Sequence, residues 1–167
     1  MPVVLFTLHA YGSWMPDRPE GYVRRREGLL PTAPAMADQY RKHMKANAVS
    51  FDAPQQRLVL EATLEKCVIR GWTLQAAATD PTHIHAVLSW HNDTPAAKIQ
   101  DGLKRSITIA CNARHSQRPW LSEGGSKKRV ANFEHLTHLR ENYLPSHRGW
   151  RYDAETDWTP PKSVPKP

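Results

Sequence analysis

Cysteine is nearly absent: the 167 residues hold only Cys67 and Cys111, far apart and matching no thiol-ligand spacing. This excludes a disulfide framework and a thiolate metal site, and predicts buried, reduced thiols in a cytoplasmic protein. Long apolar runs are missing too. Nothing approaches the ~20 residues of a bilayer-spanning helix, and the run from Val3 to Leu8 is too short for a signal-peptide core and lacks its basic start. No membrane partner is expected. Internal repeats are also lacking. Acidic residues are in deficit, 16 against 23 Lys and Arg, which leaves a formal charge of +7. The excess is clustered at Arg24-Arg25-Arg26, Lys104-Arg105, Lys127-Lys128-Arg129 and Arg148 to Arg151. Clustered positive charge points to a polyanion, nucleic acid before membrane, because no basic amphipathic helix is evident.

What remains is enough for one domain with a real core. Val3 to Leu8 is a compact apolar run that predicts a central first strand ending at His9. Ala10 to Thr32 is rich in Gly, Pro, Arg and aromatics and predicts a long surface loop. Ala35 to Ala48 predicts a short polar helix. Asp52-Ala53-Pro54-Gln55 is an N-terminal capping box, and Leu60, Leu64, Cys67 and Val68 follow at helical spacing until Gly71. Trp72 to Ala78 predicts a second strand, with Asp80-Pro81 as the turn into a third. Thr94-Pro95 predicts an N-cap and first helical position, followed by the apolar stripe Ile99, Leu103, Ile107 and Ala110. A basic strand from Ser126 to Val130 and a last helix from Phe133 to Leu144, limited by Pro145, complete the pattern. The expected fold is α+β, a small ferredoxin-like sandwich with a mainly antiparallel sheet of four to five strands, over residues 1–158. Residues 159–167 form a Pro-rich tail that is expected to be disordered.

The third strand carries the chemistry. In Thr82-His83-Ile84-His85-Ala86-Val87-Leu88-Ser89-Trp90, side chains alternate, so His83, His85, Val87 and Ser89 share one face and Ile84, Ala86, Leu88 and Trp90 the other. Two imidazoles at i and i+2 can hold one divalent cation between neutral ring nitrogens, or they can be an ordinary pair of core histidines. His9 and His91, at strand ends, are further candidates.

Four segments in order resemble the HUH single-tyrosine transposases, including the REP-associated tyrosine transposase branch. They are Tyr11-Gly12-Ser13-Trp14-Met15-Pro16, Thr82-His83-Ile84-His85, the helix from Leu103-Lys104-Arg105-Ser106 through Asn112, and Trp120 with Gly124-Gly125-Ser126. The resemblance implies a ferredoxin-like core that cleaves single-stranded DNA at hairpin-marked ends, with Mg2+ or Mn2+ polarising the scissile phosphate. It also implies a tyrosine that forms a 5′-phosphotyrosine and leaves a free 3′-OH, in a monomer or homodimer. The family pattern of tyrosine, three residues, then a third ligand fits Tyr143-Leu144-Pro145-Ser146-His147. This register makes Tyr143 the nucleophile and His83, His85 and His147 the metal ligands. A competing register puts His138 at the tyrosine position and Asn142 at the ligand position, with no phenol.

DNA contacts are expected from Tyr11 and Trp14, whose rings can stack on unpaired bases, and from Arg24, Arg25, Lys104, Arg105, Lys127, Lys128 and Arg129. The partner is single-stranded or hairpin DNA. The leading function is thus a DNA-cleaving and -joining transesterase, a transposase or domesticated relative. The alternative is a catalytically inactive nucleic-acid-binding protein of the same fold. A zinc hydrolase built on His83 and His85 ranks behind both, because no Glu stands at a recognised spacing.

Overall fold

The computed structural model describes residues 1–24 and 26–162; the candidate Arg25 and residues 163–167 of the expected tail lie outside them. The chain opens on strand β1 (Val3–His9) and enters the long loop, within which β2 (Tyr22–Arg24) and β3 (Gly28–Leu30) form a small antiparallel ribbon. Helix α1 (Pro34–Lys42) stops well before Ala48, shorter than its sequence predicts. The residues after it run back along the loop, where Val49 N–H donates to Tyr11 O at 2.7 Å. Helix α2 (Ala53–Arg70) keeps its predicted limits: Asp52 accepts from Gln55 N–H, the Gln55 side chain accepts from Asp52 N–H, and Gly71 ends the helix at φ 65°.

Strands β4 (Thr73–Asp80) and β5 (His83–Ser89) form a hairpin, and helix α3 (Ala96–Arg114) follows. The expected Thr94 cap is not made. Pro95 is the cap residue and gives no side-chain bond, while Thr94 donates its own N–H to Asn92 Oδ1. After β6 (Ser126–Arg129), helix α4 (Phe133–His138) begins under an Asn132 cap.

The expected stop at Pro145 is overturned. The backbone widens into one π-helical turn over Leu139–Tyr143, and a last helical turn α5 (Leu144–Ser146) carries the chain past the proline. Leu144 N–H donates to Leu139 O, five residues back. Inserting one residue in a turn lets the helix absorb a proline, which has no N–H to offer the ladder. The chain then forms β7 (Arg151–Asp153) and β8 (Asp157–Thr159), neither of which the sequence pattern predicted. Thr159 therefore belongs to a strand, although the expected tail begins there.

All sheet pairings among the described residues are antiparallel, in the order β6-β1-β5-β4-β7-β8. The units β1-α2-β4 and β5-α3-β6 interleave as β6-β1-β5-β4, which is the ferredoxin-like arrangement. The sheet has six strands rather than four to five because the C-terminal hairpin extends the β4 edge.

The sheet is buried on both faces. Helices α2 and α3 cover one, over Phe6, Leu8, Ile84, Leu88, Ile99, Leu103 and Ile107, all 1% exposed or less. At about 1.5–3 kcal/mol for each large side chain, this layer dominates stability. A smaller cluster of Leu5, Ala76, Ala78, Val87, Val130, Leu139 and Leu144 lies on the opposite face, beneath the C-terminal helical segment. His83 and His85 are on that second face. Their chemistry is thus separated from the main core by the sheet itself.

Candidate active site

Register brings the groups together. Thr7 lies opposite His85 and His9 opposite His83 across the β1–β5 pair, while Ala78 and Asp80 lie opposite them across β4–β5. The π-turn and α5 carry Tyr143 and His147 over the same end of the sheet. One potential ligand atom from each of His83, His85 and His147 lies within 4.8 Å of the other two. The ring centroid of His85 is 4.8 Å from that of His83, 4.6 Å from that of His147 and 5.3 Å from that of Tyr143. Tyr143 Oη is 3.3 Å from His85 Nε2.

Each imidazole is oriented through its other nitrogen. Thr7 Oγ1 sits 2.9 Å from His85 Nδ1, and Thr82 Oγ1 sits 3.0 Å from His83 Nδ1. His147 Nδ1 faces the carbonyl oxygens of Tyr143 and Leu144 at 3.1 and 3.2 Å. A carbonyl only accepts, so the neutral His147 ring carries its proton on Nδ1 and offers the Nε2 lone pair. Such outer contacts fix tautomer and ring direction at metal sites. Gly149 helps to seat His147. Its N–H donates to Thr79 O at 3.0 Å, and a Cβ there would come within 2.3 Å of that oxygen.

Electrostatics favours neutral imidazoles. Burial, then Coulomb interaction with His83, His147, His9 and Lys128, pushes His85 down to about 3. His83 is lowered by burial, with Asp80 opposing and His147 and Arg18 adding to the shift. His9 falls to about 4, through burial, His83, Arg18 and Lys104. Burial and the Asp80 carboxylate raise the Tyr143 phenol above its usual range. His83 and His85, held toward the neutral form, and His147, oriented by two carbonyls, fit a divalent cation of the imidazole-binding kind. Beside them lies an open cleft of about 430 Å³, walled by His9, Trp14, Arg18, His83 and His85.

The other sequence candidates divide. Trp14 faces this cleft, its ring 6.3 Å from that of His9. Tyr11 does not; its Oη accepts Lys45 N–H at 2.8 Å and braces the loop after α1. Lys104 donates to the carbonyls of Ser122 and Gly124 and so ties the glycine loop to α3. Alternation splits the basic strand: Lys128 pairs with Leu5 on the site face, whereas Lys127 and Arg129 pair with Phe6 and Val4 on the other, where Lys127 donates to Gln100. Arg24, in the ribbon, forms an exposed ion pair with Glu27, and Arg105 is exposed on α3. Asn142 and His138 are exposed and make no hydrogen bond or ring contact with the cluster among the described residues. His91 is exposed beyond the opposite end of β5.

Three residues near the cluster were not singled out from sequence: Asp80, Thr7 and Arg18. Asp80 reads as a turn residue before Pro81, and Thr7 as one more β-branched strand residue. Only their spacing to His83 and the cross-strand register give them meaning. The four resemblance segments also meet one another. Ser13 Oγ donates to Thr82 O at 3.0 Å, Tyr11 N–H to Trp120 O at 2.9 Å, and Trp120 Nε1 to Asn112 Oδ1 at 2.8 Å.

No protein-family model and no curated protein matches the chain. Among solved structures it is similar to a REP-associated tyrosine transposase bound to a REP hairpin, with a TM-score of 0.49 and 13% identity over 86% of this chain. The match spans 64% of that protein's length. It is also similar to a protein of Deinococcus radiodurans R1 assigned as a transposase, with a TM-score of 0.43 and 10% identity, covering 89% of this chain and 93% of that one. No helix among the described residues is long and apolar enough to cross a membrane.

Proposed function

We propose that this chain is a metal-dependent endonuclease and strand-transferase of single-stranded DNA, a transposase or domesticated relative that acts at hairpin-marked sites through Tyr143. The observation that carries the reading is the 3.3 Å separation of Tyr143 Oη from His85 Nε2, inside a cluster completed by His83 and His147. A phenol beside three oriented imidazoles suits metal-assisted phosphoryl transfer to tyrosine, and a core-packing role explains neither the phenol's 36% exposure nor the gathered lone pairs.

Mg2+ or Mn2+, held by His83, His85 and His147, would offset charge developing on the non-bridging phosphate oxygens. Tyr143 Oη forms the bond to phosphorus as the P–O3′ bond breaks; the phenolic proton passes to solvent, and the departing O3′ takes one up from solvent. The products are a 5′-phosphotyrosine and a free 3′-OH, and the ester conserves the cleaved bond's energy for rejoining. The raised phenol pKa means that Tyr143 arrives protonated and must lose its proton as it attacks. Trp14 in the adjoining cleft offers a flat ring to an unstacked base, and Arg18 and Lys128 add positive charge for the strand. The unit runs one residue past the expected 1–158, to Thr159 at the end of β8, and works in the cytoplasm as a monomer or homodimer.

The test uses 5′-labelled and 3′-labelled hairpin strands with Mg2+ or Mn2+. Wild type is expected to form a denaturation-resistant adduct on the fragment downstream of the cut, Tyr143→Phe to form none, and His138→Ala to form it still. An adduct that persists in Tyr143→Phe would move the nucleophile elsewhere. Retained binding with no adduct from any variant would favour the inactive binding protein.

A further inference from the structure

We propose that Asp80 is a fourth protein ligand of this centre, completing a set of three imidazoles and one carboxylate that takes a first-row transition ion in preference to Mg2+. The inference rests on the reading that His83, His85 and His147 hold a cation.

Asp80 ends β4 directly opposite His83. Its Oδ1 accepts Arg148 N–H at 3.0 Å, one residue after His147, so the carboxylate is fixed from the same segment that seats the third imidazole. That leaves Oδ2 pointing into the cluster, 3.4 Å from His83 Nε2 and 3.9 Å from His147 Nε2. Both spacings are longer than a hydrogen bond of good geometry. The His147 contact is also of the wrong kind for one. In the neutral form of the ring, the two carbonyls hold the proton on Nδ1 and Nε2 turns a lone pair toward a carboxylate oxygen. Two acceptors thus face each other where His147 is only 7% exposed. A cation between them satisfies both, and His83 Nε2 lies within reach of the same carboxylate oxygen.

The donor set then argues for the kind of ion. Mg2+ is held by oxygen and gives up its waters reluctantly, whereas imidazole nitrogen suits first-row transition ions. Three nitrogens and a single carboxylate oxygen therefore discriminate against Mg2+.

The test is titration of the metal-free full chain with Co2+, followed by visible absorption, with Mg2+ as competitor. The variants are Asp80→Asn, which keeps an acceptor for Arg148 N–H, Asp80→Ala and His85→Ala, each checked for fold by circular dichroism. Wild type is expected to bind Co2+, and a large excess of Mg2+ should fail to displace it. Both Asp80 variants should bind Co2+ at least roughly tenfold more weakly, and at saturation their spectra should differ from wild type, because a ligand has gone. An unchanged spectrum at saturation would make Asp80 an orienting residue and overturn the proposal, as would unchanged affinity. Ready displacement by Mg2+ would overturn the selectivity. Absence of Co2+ binding in wild type would instead remove the metal reading of the histidine cluster on which the proposal stands.

Discussion

Nδ1 of His147 lies 3.1 Å from the main-chain carbonyl oxygen of Tyr143, so the backbone of the proposed nucleophile holds the tautomer of the proposed ligand four residues on. The two roles are coupled through one turn of helix. A change that unwinds the segment must disturb both together.

Pro145 sits between them, and its missing N–H is absorbed by the π-turn. Pro145→Ala supplies an N–H that can reach Glu141 O in an ordinary α-helix, which competes with the widened turn and rotates Tyr143 and His147 away from β5. Stability should change by no more than about 1 kcal/mol, while adduct yield and metal affinity both fall. Urea unfolding alongside the labelled-strand assay checks this; full activity in Pro145→Ala would show that the π-turn is dispensable.

Arg140 clamps this helix to β7. Its Nε and Nη2 donate to both oxygens of Asp153, at 2.8 and 2.6 Å, and Nη1 donates to Glu155. The guanidinium holds the Asp153 carboxyl below its usual range. Arg140→Lys cannot reproduce the two-pronged contact and is expected to cost about 1.5–3 kcal/mol, read as a lower urea midpoint at neutral pH. An unchanged midpoint would mean that packing of Leu139 and Leu144 suffices.

Acid should destabilise the metal-free protein earlier than carboxylate titration alone would. His85 and His9 have folded values of about 3 and about 4 against an ordinary 6.5, so above pH 6.5 both are neutral in either state. As pH falls below 6.5 the unfolded chain takes up protons that the folded chain refuses, and stability declines toward pH 4. Urea midpoints across this window should drop for wild type and drop less for the double variant His9→Gln, His85→Gln. Parallel profiles would contradict the buried, neutral state of these rings.

Strand alternation predicts which cations meet DNA. Lys128→Ala, on the site face, should flatten the dependence of log affinity on log salt by roughly 0.7 for a hairpin single strand. Arg129→Ala, on the opposite face, should leave the slope near that of wild type. Fluorescence anisotropy across a salt series distinguishes the two, and equal effects would place the strand across the sheet edge rather than over the site.

Much of this protein is written locally. The capping box at Asp52 and Gln55 and the stop at Gly71 involve neighbours in the chain, so α2 was legible to the residue. The alternation in β5 likewise told that His83 and His85 share a face, because a strand's period is a property of the backbone alone. The final helix was legible only in part. Propensity marked Pro145 as a stop, but packing of Leu139 and Leu144 on the second face of the sheet favours a widened turn that carries the chain past it. Strands β7 and β8 were invisible because three-residue strands have too little pattern to stand out, and pairing with the β4 edge defines them. The site follows the same division. Histidine spacing named two candidate ligands and a family resemblance offered a third with two registers, but Asp80, Thr7 and Arg18 gained their positions from cross-strand register and loop closure. The choice between Tyr143 with His147 and His138 with Asn142 depends on which side of the last helix faces the sheet. A single extra residue in its π-turn changes that facing, and only tertiary packing decides where the extra residue goes.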